Sequence, residues 1–150
     1  MAKFVSYAMD DLQIPFDKMA RLTPADLLDI LRPGAELMRQ AIVDAIQATF
    51  TQRSGELAGS WALTESAAEG NAEITIEPLG VHSKNGRGIR KKKRKKSGGD
   101  ANAVVAYALE YGTPRIAARH YIQKTTEDKG DEAAAAMQET MNQKFEQLGL

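Results

Sequence analysis

The spacing of apolar residues in the first third of the chain predicts two consecutive helices. The segment Thr23-Pro24-Ala25-Asp26 is a good helix start, with a capping hydroxyl, a proline at the first helical position and an early acid. Because the residue before a proline resists helical angles, we predict that this helix, Pro24–Leu31, ends at Arg32-Pro33-Gly34. A second, longer helix is predicted over about residues 34–51, where apolar residues recur every three to four positions.

The period then changes from that of a helix to that of a strand. Ser60–Glu65 and Ala72–Glu77 both alternate apolar and polar residues, and the polar, Gly-containing segment 66–71 separates them. Their larger apolar residues fall on like faces: Trp61, Leu63, Ile74 and Ile76. The pattern predicts a β-hairpin.

The remaining segments complete an α+β pattern. Residues 1–22 are predicted to be an irregular arm or a short helix, and Asn102–Ala108 a short strand that passes into Tyr107–Thr113. Two C-terminal helices are predicted, at Arg115–Glu127 and Asp131–Leu148. We therefore expect one domain over residues 1–150, with a small antiparallel sheet packed by a long helix of the N-terminal half and by the C-terminal helices.

Charge is separated along the chain, although the total is zero. The 150 residues contain 20 Lys plus Arg and 20 Asp plus Glu. Nine of the bases fall in residues 84–96, which contain no acid. The rest of the chain therefore has 11 bases and 20 acids, a balance of −9. An acidic body carries one strongly basic segment.

The basic segment lies within a predicted loop, residues 82–101, inserted between strands. This loop contains four glycines, and Ile89 is its only large apolar side chain. Such a composition cannot bury enough surface to offset its ordering entropy, so we predict a mobile loop. Its candidate docking residues are Arg87, Arg90, Lys91, Lys92, Lys93, Arg94, Lys95 and Lys96.

Three interpretations of the basic segment stay open. It could make a non-specific contact with DNA, since neutralising phosphates releases counterions and gives strong, salt-dependent attraction. It could bind an acidic protein surface, or it could be solvated without a partner. The absence of aromatic residues from 82–101 argues against reading of unstacked bases.

Signatures of an enzyme are absent from the sequence. Neither His82 nor His120 has a second histidine or an acid at a metal-ligand spacing, and no triad pattern surrounds them. Gly86-Arg87-Gly88 lacks the remaining residues of a nucleotide-binding loop. We therefore predict a non-enzyme with no catalytic residues, metal site or cofactor.

The chain is not expected to enter a membrane or to form disulfides. Its longest apolar run is Ala103–Leu109, far short of the roughly 20 residues of a membrane span. The first residues lack the hydrophobic core of a signal peptide. The absence of cysteine excludes disulfide scaffolds and cysteine-based zinc sites. Because larger apolar residues are few, we expect that the chain could complete its core by oligomerisation.

The segment Ala106–Pro114 is predicted to contain a bend. Gly112 can adopt positive φ, and Pro114 after Thr113 fixes the outgoing angle. If the stretch is helical, Tyr107 and Tyr111 share a face. The segment could be a packing corner that holds the sheet to the C-terminal helix, or it could place Glu110 or Tyr111 at a subunit interface.

The same segment, Ala106-Tyr107-Ala108-Leu109-Glu110-Tyr111-Gly112-Thr113-Pro114, resembles the signature of a phage morphogenesis family. These are small neck or tail-completion proteins of long-tailed double-stranded-DNA phages and prophages. In that family a hairpin precedes the signature, and a segment like Ser54-Gly55-Glu56-Leu57 precedes the hairpin. The resemblance covers about residues 34–148 and is sharp over Tyr107–Thr113.

The resemblance implies a structural role in the virion. It implies a homo-oligomeric ring, with a hexamer favoured, around the DNA channel at the head–tail junction, assembled in the cytoplasm of a bacterial host. The implied neighbours are head-closure or adaptor proteins and tail proteins. A small DNA-binding accessory protein that uses residues 84–96 is the alternative from another class.

Overall fold

The computed structural model describes residues 16–50, 55–80 and 102–150. Their fold is α+β, as predicted, with a two-stranded antiparallel sheet and long helices on either side of it in the chain. The elements in chain order are α1 (Phe16–Met19), α2 (Pro24–Thr49), α3 (Glu56–Gly59), β1 (Trp61–Ala68), β2 (Asn71–Pro78), α4 (Asn102–Tyr111) and α5 (Tyr121–Gln147). The predictions for the chain before Phe16 and for the basic loop lie outside the described residues.

Helix α2 begins where the sequence predicts but does not stop at Pro33. Thr23 and Asp26 form a reciprocal capping box, in which each side chain accepts the other's backbone N–H. The predicted break at Arg32-Pro33-Gly34 is wrong, because one helix continues through Pro33 to Thr49. Pro33 removes one intrahelical hydrogen bond, but the buried stripe of α2 continues on both sides of this proline. That stripe consists of Ile30, Gly34, Ala35, Ile42 and Ile46.

Helix α5 runs antiparallel to α2 along most of its length. Lys144 pairs with Asp26 at one end, at 3.1 Å, while Phe50 packs edge-on against Tyr121 at the other, with ring centroids 5.5 Å apart. The prediction of two helices, Arg115–Glu127 and Asp131–Leu148, is therefore wrong. A single helix passes through Gly130, because packing against α2 on both sides of that residue outweighs its low helix propensity.

Two details of the C-terminal prediction change with this correction. Asp131 and Glu132, expected at a helix start, lie in the middle of α5, whereas Lys144 is in its last turn as expected. Met137 and Met141 are half-buried and Phe145 is buried, so this part of the predicted apolar stripe packs inward. Ala134 and Leu148, predicted to belong to the same stripe, are exposed.

The predicted β-hairpin is confirmed. β1 and β2 pair antiparallel with Leu63 opposite Ile76, and a short turn at Glu69-Gly70 replaces the longer predicted connection. Trp61, Leu63, Ile74 and Ile76 share one face, as the alternation predicts. From Thr64 to Asn71 every residue is exposed, so the outer half of the hairpin extends away from the core.

The segment Asn102–Ala108 is a helix and not the predicted strand. In α4, Asn102, Ala106 and Glu110 are buried, and their spacing of four matches one face of a helix. The adjacent pair Val104-Val105 favoured a strand locally, but tertiary packing outweighs that preference. The basic loop consequently connects a strand to a helix and is not inserted between two strands.

The main core lies where the base of the hairpin meets helices α2, α3, α4 and α5. Its buried residues form one cluster: Ile42, Ile46, Leu57, Ala58, Trp61, Ala106 and Tyr121. Ile46 is 1% exposed, and burial of an isoleucine side chain stabilises the fold by about 1.5–3 kcal/mol. The core therefore fixes α4 against the first turns of α5, where the candidate site lies.

Candidate functional site

The residues of the predicted signature come together at the corner between α4 and α5. Tyr107, Glu110 and Tyr111 lie on the last two turns of α4, and Gly112 and Thr113 follow directly after it. Residues 102–122 form this α4–α5 corner. The structure places the five signature residues side by side but gives them different surroundings.

Glu110 is the buried centre of the corner. The residue is 3% exposed, and its two carboxylate oxygens accept the backbone N–H groups of Ile122 and Gln123 at 2.8 and 3.1 Å. These donors belong to the first turn of α5, where backbone N–H groups have no partner within the helix. The N-cap residue His120 has left-handed angles, φ 50 and ψ 39, and makes no side-chain capping bond. Glu110 therefore caps α5 in place of the ordinary N-cap side chain.

The chain between the two helices folds back against α4. Arg119 and His120 donate backbone N–H groups to the carbonyl oxygens of Leu109 and Glu110 at 2.9 and 3.1 Å. Gly112 has φ 81, and a Cβ added there would lie 2.8 Å from the backbone nitrogen of Ala118. Only glycine fits this position, because both the backbone angle and the space exclude a side chain.

Thr113 closes a tight turn within this connection. It forms an isolated antiparallel bridge with Ile116, and its hydroxyl also accepts the backbone N–H of Ile116 at 3.1 Å. The turn carries Arg115 on the outside, where the side chain is exposed. The bend inferred from Gly112-Thr113-Pro114 thus has a defined role in orienting α5.

Tyr121 fixes the corner to the core. Its ring is 2% exposed, and its hydroxyl lies 3.5 Å from the carbonyl oxygen of Ala106. Burial, and secondarily the nearby Glu110 carboxylate, raises the pKa of the Tyr121 phenol well above its usual value. This tyrosine therefore stays neutral and acts as a packing group.

An exposed apolar face covers the outside of the corner. Tyr107 and Tyr111 are 65% and 61% exposed, and their rings stack at a tilt with centroids 4.7 Å apart. Val104, one turn earlier, is 59% exposed, and Ile116 beyond the bend is 45% exposed. Exposed aromatic and aliphatic residues grouped on one helix face are typical of protein contact surfaces. The expectation that Tyr107 and Tyr111 share a helical face is met by this geometry.

A cleft of about 380 Å³ lies beneath the tyrosines. The base of the hairpin contributes Trp61, Ile76 and Pro78 to its wall, and α5 contributes Ile122 and Thr126. The buried indole Nε1 of Trp61 finds no hydrogen-bond acceptor among the described residues. The cleft and this unpartnered donor are features that periodicity alone did not predict.

The histidines, a metal site and a membrane span are the remaining features that the sequence raises. His120 is exposed, and His82 lies outside the described residues. Over 16–50, 55–80 and 102–150, no three His, Cys, Asp or Glu side chains are arranged to hold a metal ion. Among the helices that the structure describes, none combines the length and apolar character needed to cross a bilayer.

The eight candidate docking residues between Arg87 and Lys96 also lie outside the described residues, whereas the residues that precede and follow their segment, Gly80 and Asn102, are described. Asn102 donates its backbone N–H to the carbonyl oxygen of Gly80 at 3.1 Å and its side-chain amide to that of Leu79 at 2.7 Å. The end of β2 and the start of α4 are therefore hydrogen-bonded to each other. The basic loop leaves and re-enters the fold at one place, next to the α4–α5 corner.

Comparison with known proteins adds no relative to this description. No protein-family model, curated protein or solved structure matches the chain.

Proposed function

We propose that this chain is a structural, non-enzymatic protein of phage virions that acts at the head–tail junction, in the neck or in tail completion. Its copies form a ring around the DNA channel, with a hexamer favoured. The ring contacts a head-closure or adaptor protein on one side and a tail protein on the other. The proposal starts from the resemblance of Tyr107–Thr113 to the signature of that family.

The observation that carries the proposal is that Tyr107–Thr113 contains both buried residues with a structural role and exposed apolar residues. Glu110 and Gly112 are used inside the subunit, as a cap and a bend, whereas Tyr107 and Tyr111 point outward from the same helix. The segment therefore combines a rigid corner with an exposed apolar surface. A rigid element with an apolar face suits a subunit that completes its burial against neighbours.

The charge separation fits this role. A body with a balance of −9 outside residues 84–96 repels DNA and so avoids trapping the genome as it passes. The basic loop then serves as a docking element toward an acidic neighbouring ring or toward DNA. In either case its attraction weakens with added salt.

Removing the gene from the phage or prophage that carries it tests the proposal. We expect electron microscopy to reveal DNA-filled heads beside unattached tails, and expression of the intact chain from a plasmid to restore complete particles. Complete infectious particles without the gene would contradict the proposal. Immunolabelling of wild-type particles, with label expected at the junction, provides an independent measurement.

A DNA-binding accessory protein is the second candidate, favoured by the seven consecutive bases from Arg90 to Lys96. Titration of the isolated chain with duplex DNA over a salt series distinguishes the two functions. Steep salt-dependent affinity together with normal particles after gene removal favours the accessory protein. Absence of DNA binding, with copurification of connector or tail proteins, favours the neck protein.

A further inference from the structure

The β1–β2 hairpin carries charge of one sign. Between Trp61 and Pro78 the chain contains four glutamates and no Lys, Arg or His. Glu65 is neutralised by Arg32 of α2, at 2.8 Å. Glu69 in the turn and Glu73 in β2 are exposed and form no ion pair within the described part of the chain. The outer end of the hairpin is therefore an acidic projection.

The α4–α5 corner carries the opposite charge. Between residues 102 and 126 the only acid is Glu110, which is buried. Arg115 and Arg119, in the connection that borders the exposed tyrosines, are themselves exposed and have no acidic partner among the residues described. An apolar surface at Tyr107 and Tyr111 is thus bordered by unpaired positive charge.

The hairpin tip cannot reach the corner of its own subunit. The base of the hairpin, at Trp61 and Pro78, forms part of the cleft wall under the tyrosines. Seven residue steps separate Trp61 from Ala68, and at a strand rise of about 3.3 Å per residue the tip lies about 23 Å from that base. A contact between the acidic tip and the basic corner must therefore join two copies.

We infer that the β1–β2 hairpin tip of one copy docks on the α4–α5 corner of a second copy, with Glu69 and Glu73 facing Arg115 and Arg119. Ala68, beside the turn, lies on the same face of the hairpin as Glu73 and is small and exposed. It leaves room for the tip to approach the rings of Tyr107 and Tyr111. The two surfaces are thus complementary in charge.

This contact joins two different surfaces, so it repeats from copy to copy. A head-to-tail contact produces a ring when the rotation between copies closes and a filament when it does not. The inference rests on the proposed function, for which it supplies the subunit interface. It also explains why a two-stranded hairpin extends beyond the core that it helps to form.

Charge reversal in the purified chain tests the interface by sedimentation velocity. We expect the wild type to form a discrete oligomer, and both Glu69→Arg/Glu73→Arg and Arg115→Glu/Arg119→Glu to sediment as monomers. The chain with all four substitutions is complementary again and is expected to recover the oligomer. The control, Asp128→Arg/Asp131→Arg, makes the same change of charge on an exposed part of α5 and is expected to leave the oligomer intact.

The outcomes separate the interface from the function. A wild type that is monomeric at every concentration, reversal variants that assemble like the wild type, or a fourfold variant that stays monomeric would each overturn the inference. Circular dichroism verifies that the variants fold, since each is expected to keep the helix content of the wild type and to unfold cooperatively, at a lower temperature where the oligomer is lost. Particle microscopy after gene removal decides the proposed function independently, since either result there is compatible with either sedimentation result.

Discussion

Gly34 of α2 lies directly against the side chain of Met137 of α5. A Cβ added at Gly34 would come within 2.6 Å of the Met137 Cγ and 2.8 Å of the carbonyl oxygen of Ala133. The absence of a side chain thus allows the two longest helices to approach closely. The position follows Pro33 immediately, so the residue pair that suggests a helix break in the sequence marks a helix crossing in the fold.

Substitution of Gly34 by alanine should destabilise the protein. The added methyl group must displace Met137 and meets backbone at Ala133, and overpacking of this kind costs about 1–3 kcal/mol. The measurement is urea unfolding followed by circular dichroism. The matched control is Gly130→Ala, in the interior of α5 with open space around it, which we expect to stabilise by about 0.5–1 kcal/mol. Equal effects of the two substitutions would contradict the close crossing.

Replacement of Glu110 by glutamine should weaken the start of α5. The amide keeps the shape of the side chain but has one acceptor oxygen for the two N–H groups of Ile122 and Gln123. An unsatisfied buried donor costs about 1–3 kcal/mol, and that loss is expected in the free energy of unfolding. Amide hydrogen exchange at Ile122 and Gln123 should accelerate relative to the middle of α5. The exposed Glu127→Gln serves as control, and comparable losses in both variants would argue against the capping role.

Acid should remove the contribution of Asp26 to stability. Its hydrogen bonds with Thr23, and the nearby Lys144, lower the pKa of this carboxyl from 3.8 to about 2. Because the folded pKa lies below the unfolded one, the stabilisation is complete above pH about 4 and is lost as the pH falls toward about 2. The difference in free energy of unfolding between the wild type and Asp26→Asn should therefore shrink over this range. A difference that stays constant with pH would refute the assignment.

Substitution of Tyr107 by alanine should weaken the association of copies without changing the stability of the folded monomer. The side chain is 65% exposed, so Tyr107→Ala is expected to change the free energy of unfolding of the monomer by less than about 0.5 kcal/mol. The same substitution should shift the oligomer expected in sedimentation velocity toward monomer, because it removes apolar surface from the α4–α5 corner. Leu148→Ala, at an exposed residue beyond α5, is the control for loss of apolar surface elsewhere. Unaltered association of Tyr107→Ala would speak against the corner as an interface.

The parts of the fold that local patterns determine were predictable from the sequence. Alternation over Ser60–Glu65 and Ala72–Glu77 identifies the hairpin, because one face carries the large apolar side chains, buried at Trp61 and half-buried at Ile76, and the other face is mostly polar. The capping box at Thr23 and Asp26 is likewise a short-range signal. In both cases the interactions are local in the chain: the cap joins Thr23 to Asp26, and the hairpin pairs run from Ala68–Asn71 to Trp61–Pro78 across one short turn.

The predictions of secondary structure are wrong where packing between segments far apart in the chain outweighs the local conformational preference. Pro33 and Gly130 each weaken a helix locally, but α2 and α5 pack against one another on both sides of these residues and keep both helices continuous. Asn102–Ala108 is a short apolar run that favours a strand, although the spacing of Asn102, Ala106 and Glu110 is a helical signal. The negative charge of the hairpin, in contrast, is predictable from the sequence, since Glu69 and Glu73 lie in a segment without Lys, Arg or His.

The hydrogen bond between Asn102 and Gly80 joins the two ends of the basic loop, so the sequence between them can change independently of the rest of the fold. Since the two flanks are joined by the fold itself, the residues between them can be lengthened, shortened or recharged without moving β2 or α4. Doubling such a loop costs only about 0.6 kcal/mol in closure entropy. Under the proposed docking role, changes in residues 81–101 would alter the choice of partner while β2 and α4 stay the same.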